Sequence, residues 1–174
     1  MNSGQSPFRH IVVSGVSGVG KSTIGQALAS RLGRSFADAD DFHTPEAISK
    51  MSAGIPLTSS DREPWLRAVR AWMDRQAGEG KSTVVACSAL KKSYRELLRG
   101  AENDAMFVFL SGPKEKIEQR LVARREHFMP ASLLTSQLQT LEPLEDQEAG
   151  LIADAFLPVD RIVDLVGEYL SPVH

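Results

Sequence analysis

The sequence predicts an α/β fold built on a mainly parallel sheet. Short β-branched or apolar runs at His10–Ser14, Thr83–Cys87 and Met106–Leu110 are separated by helical patterns of roughly 10–15 residues, the signature of βαβ units. The first run opens directly onto a glycine-rich turn that leads into a helix. The length of 174 residues suits one compact domain and leaves no room for two ordinary ones.

Each element has its own local signal. HIVVS at His10–Ser14 reads as a buried strand. After Lys21 the apolar residues Ile24, Ala27, Leu28 and Leu32 recur at helical spacing, and Gly33 is a C-terminal stop. Phe36–Asp41 reads as a second short strand. Thr44-Pro45 is a cap followed by proline at the first helical position, with Gly54 closing the turn. The next helix starts either from Ser60 with Glu63 at capping-box spacing or from Asp61, and Trp65, Leu66, Val69 and Met73 form its apolar face. Trp65 and Trp72 both read as core.

Thr83–Cys87 is a third strand. Tyr94–Arg99 is helical and ends at Gly100, and Met106–Leu110 is a fourth strand. A helix runs from Pro113 to about Arg125 with Ile117 and Leu121 inward, and another covers Ser132–Leu141. The tail carries a strand near Leu151–Phe156. A last helix presents Ile162, Val163, Val166 and Leu170.

Composition narrows the function classes. Twenty Lys and Arg against 22 Asp and Glu give a net charge of −2, too little for a broad electrostatic footprint on nucleic acid or an anionic membrane. A local basic pocket remains compatible with that sum. The single cysteine, Cys87, cannot form an internal disulfide, and the composition fits a reducing compartment, so a cytoplasmic location is expected. The N-terminal MNSGQSPFRH lacks the apolar core of a signal peptide, and no apolar run approaches the ~18 residues a membrane helix needs. The expected partners therefore include neither nucleic acid nor membrane.

Chemistry concentrates after the strands, where open parallel sheets bind ligands. Gly15-Val16-Ser17-Gly18-Val19-Gly20-Lys21-Ser22 fits the G-x-x-x-x-G-K-[ST] phosphate-loop pattern. Glycines let several backbone N–H groups turn toward one anion, and the following helix adds its positive end. Lys21 can reach the β- and γ-phosphates, the Ser22 hydroxyl can bind Mg²⁺, and Thr23 can donate to the α-phosphate. A nucleotide such as ATP is the expected ligand.

Asp38, Asp40 and Asp41 follow the second strand. On a strand, Asp38 and Asp40 would share one side, with Asp41 turned away. One carboxylate would hold Mg²⁺ through water and the other would orient an acceptor hydroxyl and accept its proton. Taken alone these acids read rather as a solvated turn; their place after the second strand, beside the phosphate loop, and the need of phosphoryl transfer for a carboxylate favour the catalytic reading. Arg120 and Arg124 lie four apart on one helical face, just before the His127-Phe128-Met129-Pro130 stretch. Two readings stand for them: a solvated face paired with Glu118 or Glu126, or a lid that brings guanidinium groups onto a transferring phosphoryl group.

The chain resembles the gluconate kinases, within the P-loop kinases that also include the shikimate and nucleoside-monophosphate kinases. The resemblance runs from about His10 to Pro143 and rests on four stretches. These are GVSGVGKST; Asp38-Ala39-Asp40 with His43, Lys50-Met51, Gly54–Leu57 and Asp61–Leu66; Ala86–Lys92 with Tyr94-Arg95; and Arg120-Leu121 with Ala123-Arg124, His127-Phe128, Ser136-Gln137 and Leu141–Pro143. The DR-x-PWL and ACSALK stretches are the specific ones; the phosphate loop is widely shared.

The resemblance implies a three-layer P-loop kinase fold, a parallel sheet flanked by helices, as a single domain over residues 1–174. It places a helical substrate-binding region at about residues 40–80 and a lid at about residues 120–140. It also implies ATP- and Mg²⁺-dependent phosphorylation of D-gluconate at the 6-hydroxyl, and a homodimer. Carried over by position, Lys21, Ser22 and Asp38 serve phosphate and Mg²⁺, and Asp40 holds and deprotonates the 6-hydroxyl. Arg120 and Arg124 act from the lid on the nucleotide phosphates. His43, Arg62, Ser88, Lys91, Arg95 and His127 become candidates for the gluconate hydroxyls and carboxylate. Ala47, Ser59 and Thr44 depart from the family's usual asparagine, acidic residue and proline, which bears on substrate contacts rather than on the chemistry.

The rival readings are another small-molecule kinase on the same scaffold, such as a shikimate kinase, a GTPase-like switch and a nucleotide-binding regulator without chemistry. The PWL and SALK stretches weigh against the first. The chain has no N-K-x-D for guanine, and its late D-x-x-G match, Asp164–Gly167, falls in a helical pattern. Lys21, Ser22, Asp38 and Asp40 together weigh against the last.

Overall fold

The computed structural model describes residues 8–123 and 132–171. Five parallel strands form one sheet in the order β2-β3-β1-β4-β5. They are β1 (His10–Ser14), β2 (Ser35–Asp38), β3 (Thr83–Ala86), β4 (Ala105–Ser111) and β5 (Gly150–Asp154). Among the described residues seven helices flank it: α1 (Lys21–Leu32), α2 (Pro45–Ser52), α3 (Ser59–Gly78), α4 (Lys92–Arg99), α5 (Lys114–Ala123), α6 (Ser132–Thr140) and α7 (Val159–Leu170).

Strand alternation divides the core into two layers. Ile11, Val13, Val84, Met106, Val108 and Leu110 face one side, packed with Leu28 of α1 and Ile162 and Val166 of α7. Val12, Val85, Phe107 and Phe109 face the other, packed with Trp65, Leu66, Val69 and Met73 of α3 and Leu98 of α4. Because both faces are covered, the central strands read as continuous apolar runs, as buried parallel strands do. The result is the three-layer arrangement expected from the sequence.

The local signals mostly act as read. Thr44 caps α2 by accepting from the Ala47 N–H, and Pro45 occupies the first turn. Gly33 ends α1 at φ 66°, donating its N–H to the Ala29 carbonyl. One cap differs from expectation. Thr58, not Ser60 or Asp61, starts α3: its hydroxyl accepts from Asp61 N–H while the Asp61 carboxylate accepts from Thr58 N–H. Glu63 stood at the right spacing for Ser60, but the reciprocal pair forms two residues earlier.

A second difference matters for the site. β2 stops at Asp38 instead of running on to Asp41. The Asp38 carboxylate accepts the Asp40 N–H at 2.9 Å and caps a single 3₁₀ turn, Ala39–Phe42. Asp40 therefore stands beside Asp38 through a turn and not through strand alternation. An aspartate whose side chain bonds the backbone two residues on is a standard competitor of strand continuation.

Candidate active site

The phosphate loop joins β1 to α1 at the carboxyl end of the sheet. Glycine is required at its corners. A Cβ on Gly15, at φ 142°, would lie 2.7 Å from the Leu110 carbonyl oxygen, and one on Gly18, at φ 89°, would lie 2.9 Å from Leu121 Cγ. The loop thus wraps against β4 and α5 closely enough to exclude side chains. Gly20, also at positive φ, leads into α1 with no side-chain cap on its first N–H groups, the arrangement that receives an anion. Lys21 folds back over the loop, its Nζ donating to the Val16 carbonyl at 3.0 Å.

Asp38 ties this loop to the acceptor side. Its Oδ2 accepts the Ser22 hydroxyl while its Oδ1 holds the Asp40 turn. Ser22 and Asp38 together present the hard oxygen donors that suit Mg²⁺. Among the described residues no group of three or more His, Cys, Asp or Glu is placed to hold a metal. A hydroxyl and one carboxylate beside a phosphate site match an ion that takes its remaining ligands from phosphate and water.

Asp40 lies at the edge of a narrow cavity of about 20 Å³, shared with His43, Arg62, Trp65, Ser88 and Gln137. His43 Nε2 is 3.6 Å from Asp40 Oδ1, and its ring stacks on Trp65 at a centroid distance of 4.1 Å. Trp65 also donates its indole N–H to the Ala39 carbonyl at 2.6 Å, so one side chain fixes both the histidine and the turn carrying Asp40. Arg62 is buried and makes one long bond, Nε to the Leu57 carbonyl at 3.4 Å. Burial lowers its pKa, and no carboxylate lies within ion-pair distance among the described residues. A buried guanidinium of this kind has the chemistry to receive an anion. Arg62 and Lys91 both lie over the Tyr94 ring, at 5.7 and 5.8 Å, and the Tyr94 hydroxyl hydrogen-bonds Ser59. Lys91 occupies the N-cap position of α4 and Ser88 lies in the turn after β3.

A larger cavity of about 260 Å³ is bordered by Gly20, Thr23, Arg120, Ala155, Leu157 and Val159. Arg120 forms part of its wall. It donates to the Val19 carbonyl at 3.1 Å and the Ala155 carbonyl at 3.2 Å, with its guanidinium 4.0 Å above the Phe156 ring. The larger cavity thus borders the end of the phosphate loop at Val19 and Gly20, and the smaller one borders the turn carrying Asp40.

Arg95 does not belong to this set. Sequence reading made it a substrate contact, but its side chain is 0% exposed. All five guanidinium N–H groups are directed at the Glu148 carboxylate and the carbonyls of Ala89, Glu142 and Pro143. Its neighbour in sequence, Tyr94, is the residue that faces the cations. Arg124 and His127 lie outside the described residues. Trp65 lies in the core as read, but sequence reading missed its bond to the Ala39 carbonyl, and it missed the position of Gln137, quoted only within a motif. Trp65 carried one usable signal: a buried indole must find an acceptor for its N–H.

The chain is similar to known kinases. The family model described as Shikimate kinase matches residues 17–155. The gluconokinase of Gluconobacter oxydans is 49% identical over 140 residues, 80% of this chain and 79% of that protein. An unliganded crystal structure of a sugar kinase from Janibacter sp. has a TM-score of 0.89 at 49% identity, covering 94% of this chain and 95% of its own. That of a gluconokinase from Sinorhizobium meliloti has a TM-score of 0.81 at 45% identity, covering 95% and 91%.

Proposed function

Because the chain belongs to the shikimate kinase family and, within it, to the gluconokinases, we infer that it transfers the γ-phosphoryl group of ATP to the 6-hydroxyl of D-gluconate. The products are 6-phospho-D-gluconate and ADP. The observation that carries the residue assignments is the Asp38 carboxylate. One oxygen holds Ser22 beside the phosphate loop, and the other holds the turn that presents Asp40 to the small polar cavity. A single side chain thereby sets the distance between nucleotide and acceptor.

We assign ATP to the loop, with its nucleoside in the larger cavity against Arg120, Leu157 and Val159. Lys21 turns from the Val16 carbonyl to the phosphates. Asp40 orients the acceptor hydroxyl and takes its proton as the new oxygen–phosphorus bond forms and the bond to the β-phosphate oxygen breaks. Arg62, Lys91, His43 and Ser88 bind the sugar acid, with Arg62 the first choice for its carboxylate. Ser22 and Asp38 would hold Mg²⁺, which supplies charge neutralisation on the phosphates. Arg124 keeps the lid role on the nucleotide phosphates and His127 the gluconate-binding role that the resemblance implies, and Arg120 joins the nucleotide wall.

The small cavity is close to the size of one water molecule. A six-carbon acid therefore needs its walls to part, consistent with a lid over about residues 120–140 and a substrate-binding region over about residues 40–80. The resemblance to gluconate kinases is the ground for proposing a homodimer. A buried lone Cys87 and the absence of a membrane-length apolar helix among the described residues support a cytoplasmic location.

The test is ADP release with ATP and a panel of acceptors, with and without Mg²⁺. Turnover is expected with gluconate, dependent on Mg²⁺, and not with shikimate. Equal or better turnover with shikimate would overturn the acceptor assignment.

A further inference from the structure

The Ser17 N–H donates to Gln137 Oε1 at 2.6 Å, a bond between residues 120 apart in sequence. Both partners are buried, Ser17 to 4% exposure and Gln137 to 5%. Ser17 sits in the middle of the phosphate loop, and Gln137 sits on α6, the helix that follows the 120–131 stretch. The same Gln137 side chain borders the small cavity that contains Asp40 and Arg62. One amide therefore touches the phosphate loop and the acceptor side together.

The residue type suits that position. A buried backbone N–H needs an acceptor. A carboxylate would supply one, but it would also place a negative charge beside the transferring phosphoryl group. A neutral amide oxygen satisfies the N–H without that repulsion.

We propose that Gln137 is a positioning residue for phosphoryl transfer, holding the Ser17 segment of the loop in register with the acceptor pocket. This rests on the functional reading above. Because the Ser17 N–H is taken up by Gln137, nucleotide binding rests on the loop's remaining N–H groups and Lys21, and loss of the bond is expected to leave it largely intact. What it loosens is the alignment of phosphorus and acceptor oxygen, to which rates are steeply sensitive.

The experiment compares the full-length wild type with Gln137→Leu, and with the unbranched Gln137→Met should the leucine variant fail to fold. It measures kcat and KM for gluconate, and ADP affinity by calorimetry. The expected result is a fall in kcat of about tenfold or more with ADP affinity within about threefold of wild type. A kcat within threefold of wild type would overturn the proposal. So would a loss of ADP affinity as large as the loss of kcat, since that would make Gln137 a general support of the loop. Wild-type enzyme that releases no ADP with gluconate would instead sink the functional reading, which keeps the two failures distinct.

Discussion

Trp65 donates its indole N–H to the carbonyl of Ala39 at 2.6 Å, and that carbonyl belongs to the 3₁₀ turn carrying Asp40. The ring also supports His43 by stacking. The turn carrying Asp40 is thus anchored from α3 as well as by Asp38.

Trp65→Phe keeps an aromatic face for His43 but removes the donor. It leaves the Ala39 carbonyl without its partner, a cost of about 1–3 kcal/mol if no water replaces it. The expected outcome is a fall of about tenfold in kcat/KM for gluconate, because Asp40 is no longer held at a fixed distance. ADP affinity should be unchanged. Steady-state kinetics and calorimetry on the variant check this, and an unaltered kcat/KM would show that Asp38 alone suffices to set the turn.

Lys21 and Asp40 should separate by what they lose. Lys21→Met removes a cation from the phosphates, so turnover is nearly abolished. Asp40→Asn retains hydrogen bonding to the acceptor but not proton acceptance, so kcat falls by roughly 10²–10⁴ while nucleotide affinity is nearly intact. A near-normal rate in the Asn variant would refute the assignment of Asp40 as base.

Much of this was legible in the sequence because it is local. Periodicity marked the strands, Thr44-Pro45 and Gly33 marked helix ends, and the phosphate loop is a contiguous pattern whose chemistry is written in its residue types. What was not legible depends on long-range contacts or on competition within a short segment. Asp38 could continue a strand or cap a turn; the choice is made by Ser22 and the Asp40 N–H, which sequence alone does not bring together. Arg95 sits in a family motif beside Tyr94, yet its role is decided by Glu148, 53 residues away. Trp65 and Gln137 look like a core aromatic and a helix-surface amide until Ala39 and Ser17 are placed against them.

Glu148 holds two arginines of α4. Its carboxylate takes Arg95 Nε at 2.8 Å and Arg99 Nη2 at 2.7 Å. Burial alone would raise its pKa, but these arginines and the Glu145 N–H outweigh that and bring it down to about 2. Glu148→Ala leaves the Arg95 charge buried without its counterion, which costs about 3–5 kcal/mol. The same change releases the segment from which Glu142 caps the Lys92 N–H at the start of α4. Chemical denaturation should show the loss. Arg95→Met combined with Glu148→Leu should recover part of it, because the apolar pair removes the two most deeply buried charges and leaves only the less buried Arg99 without its partner; a double variant weaker than the single one would contradict this account.

His10 gives the fold a dependence on pH that can be assigned to one residue. Its ring is fully buried at the start of β1, with Nδ1 2.7 Å from Thr83 Oγ1 and Nε2 3.7 Å from Asp104. Burial pushes its pKa down from 6.5 to about 4; Asp104 and Asp74 pull it up, while Arg70 and Arg9 add to the lowering. The unfolded chain binds a proton on His10 below pH 6.5, whereas the folded protein accepts one only near pH 4. Between those values the unfolded state holds more protons, so this contribution to stability is full above 6.5 and is lost as pH falls toward 4. The shift corresponds to a loss on the order of 3 kcal/mol at most. Thermal or urea unfolding at pH 7, 6 and 5 should therefore show a steeper decline for the wild type than for His10→Asn, which cannot take up the proton. The Asn variant is expected to be less stable at pH 7, because it gives up ring packing, but to lose less on acidification. Parallel declines in the two proteins would move the acid sensitivity elsewhere, to the carboxylates.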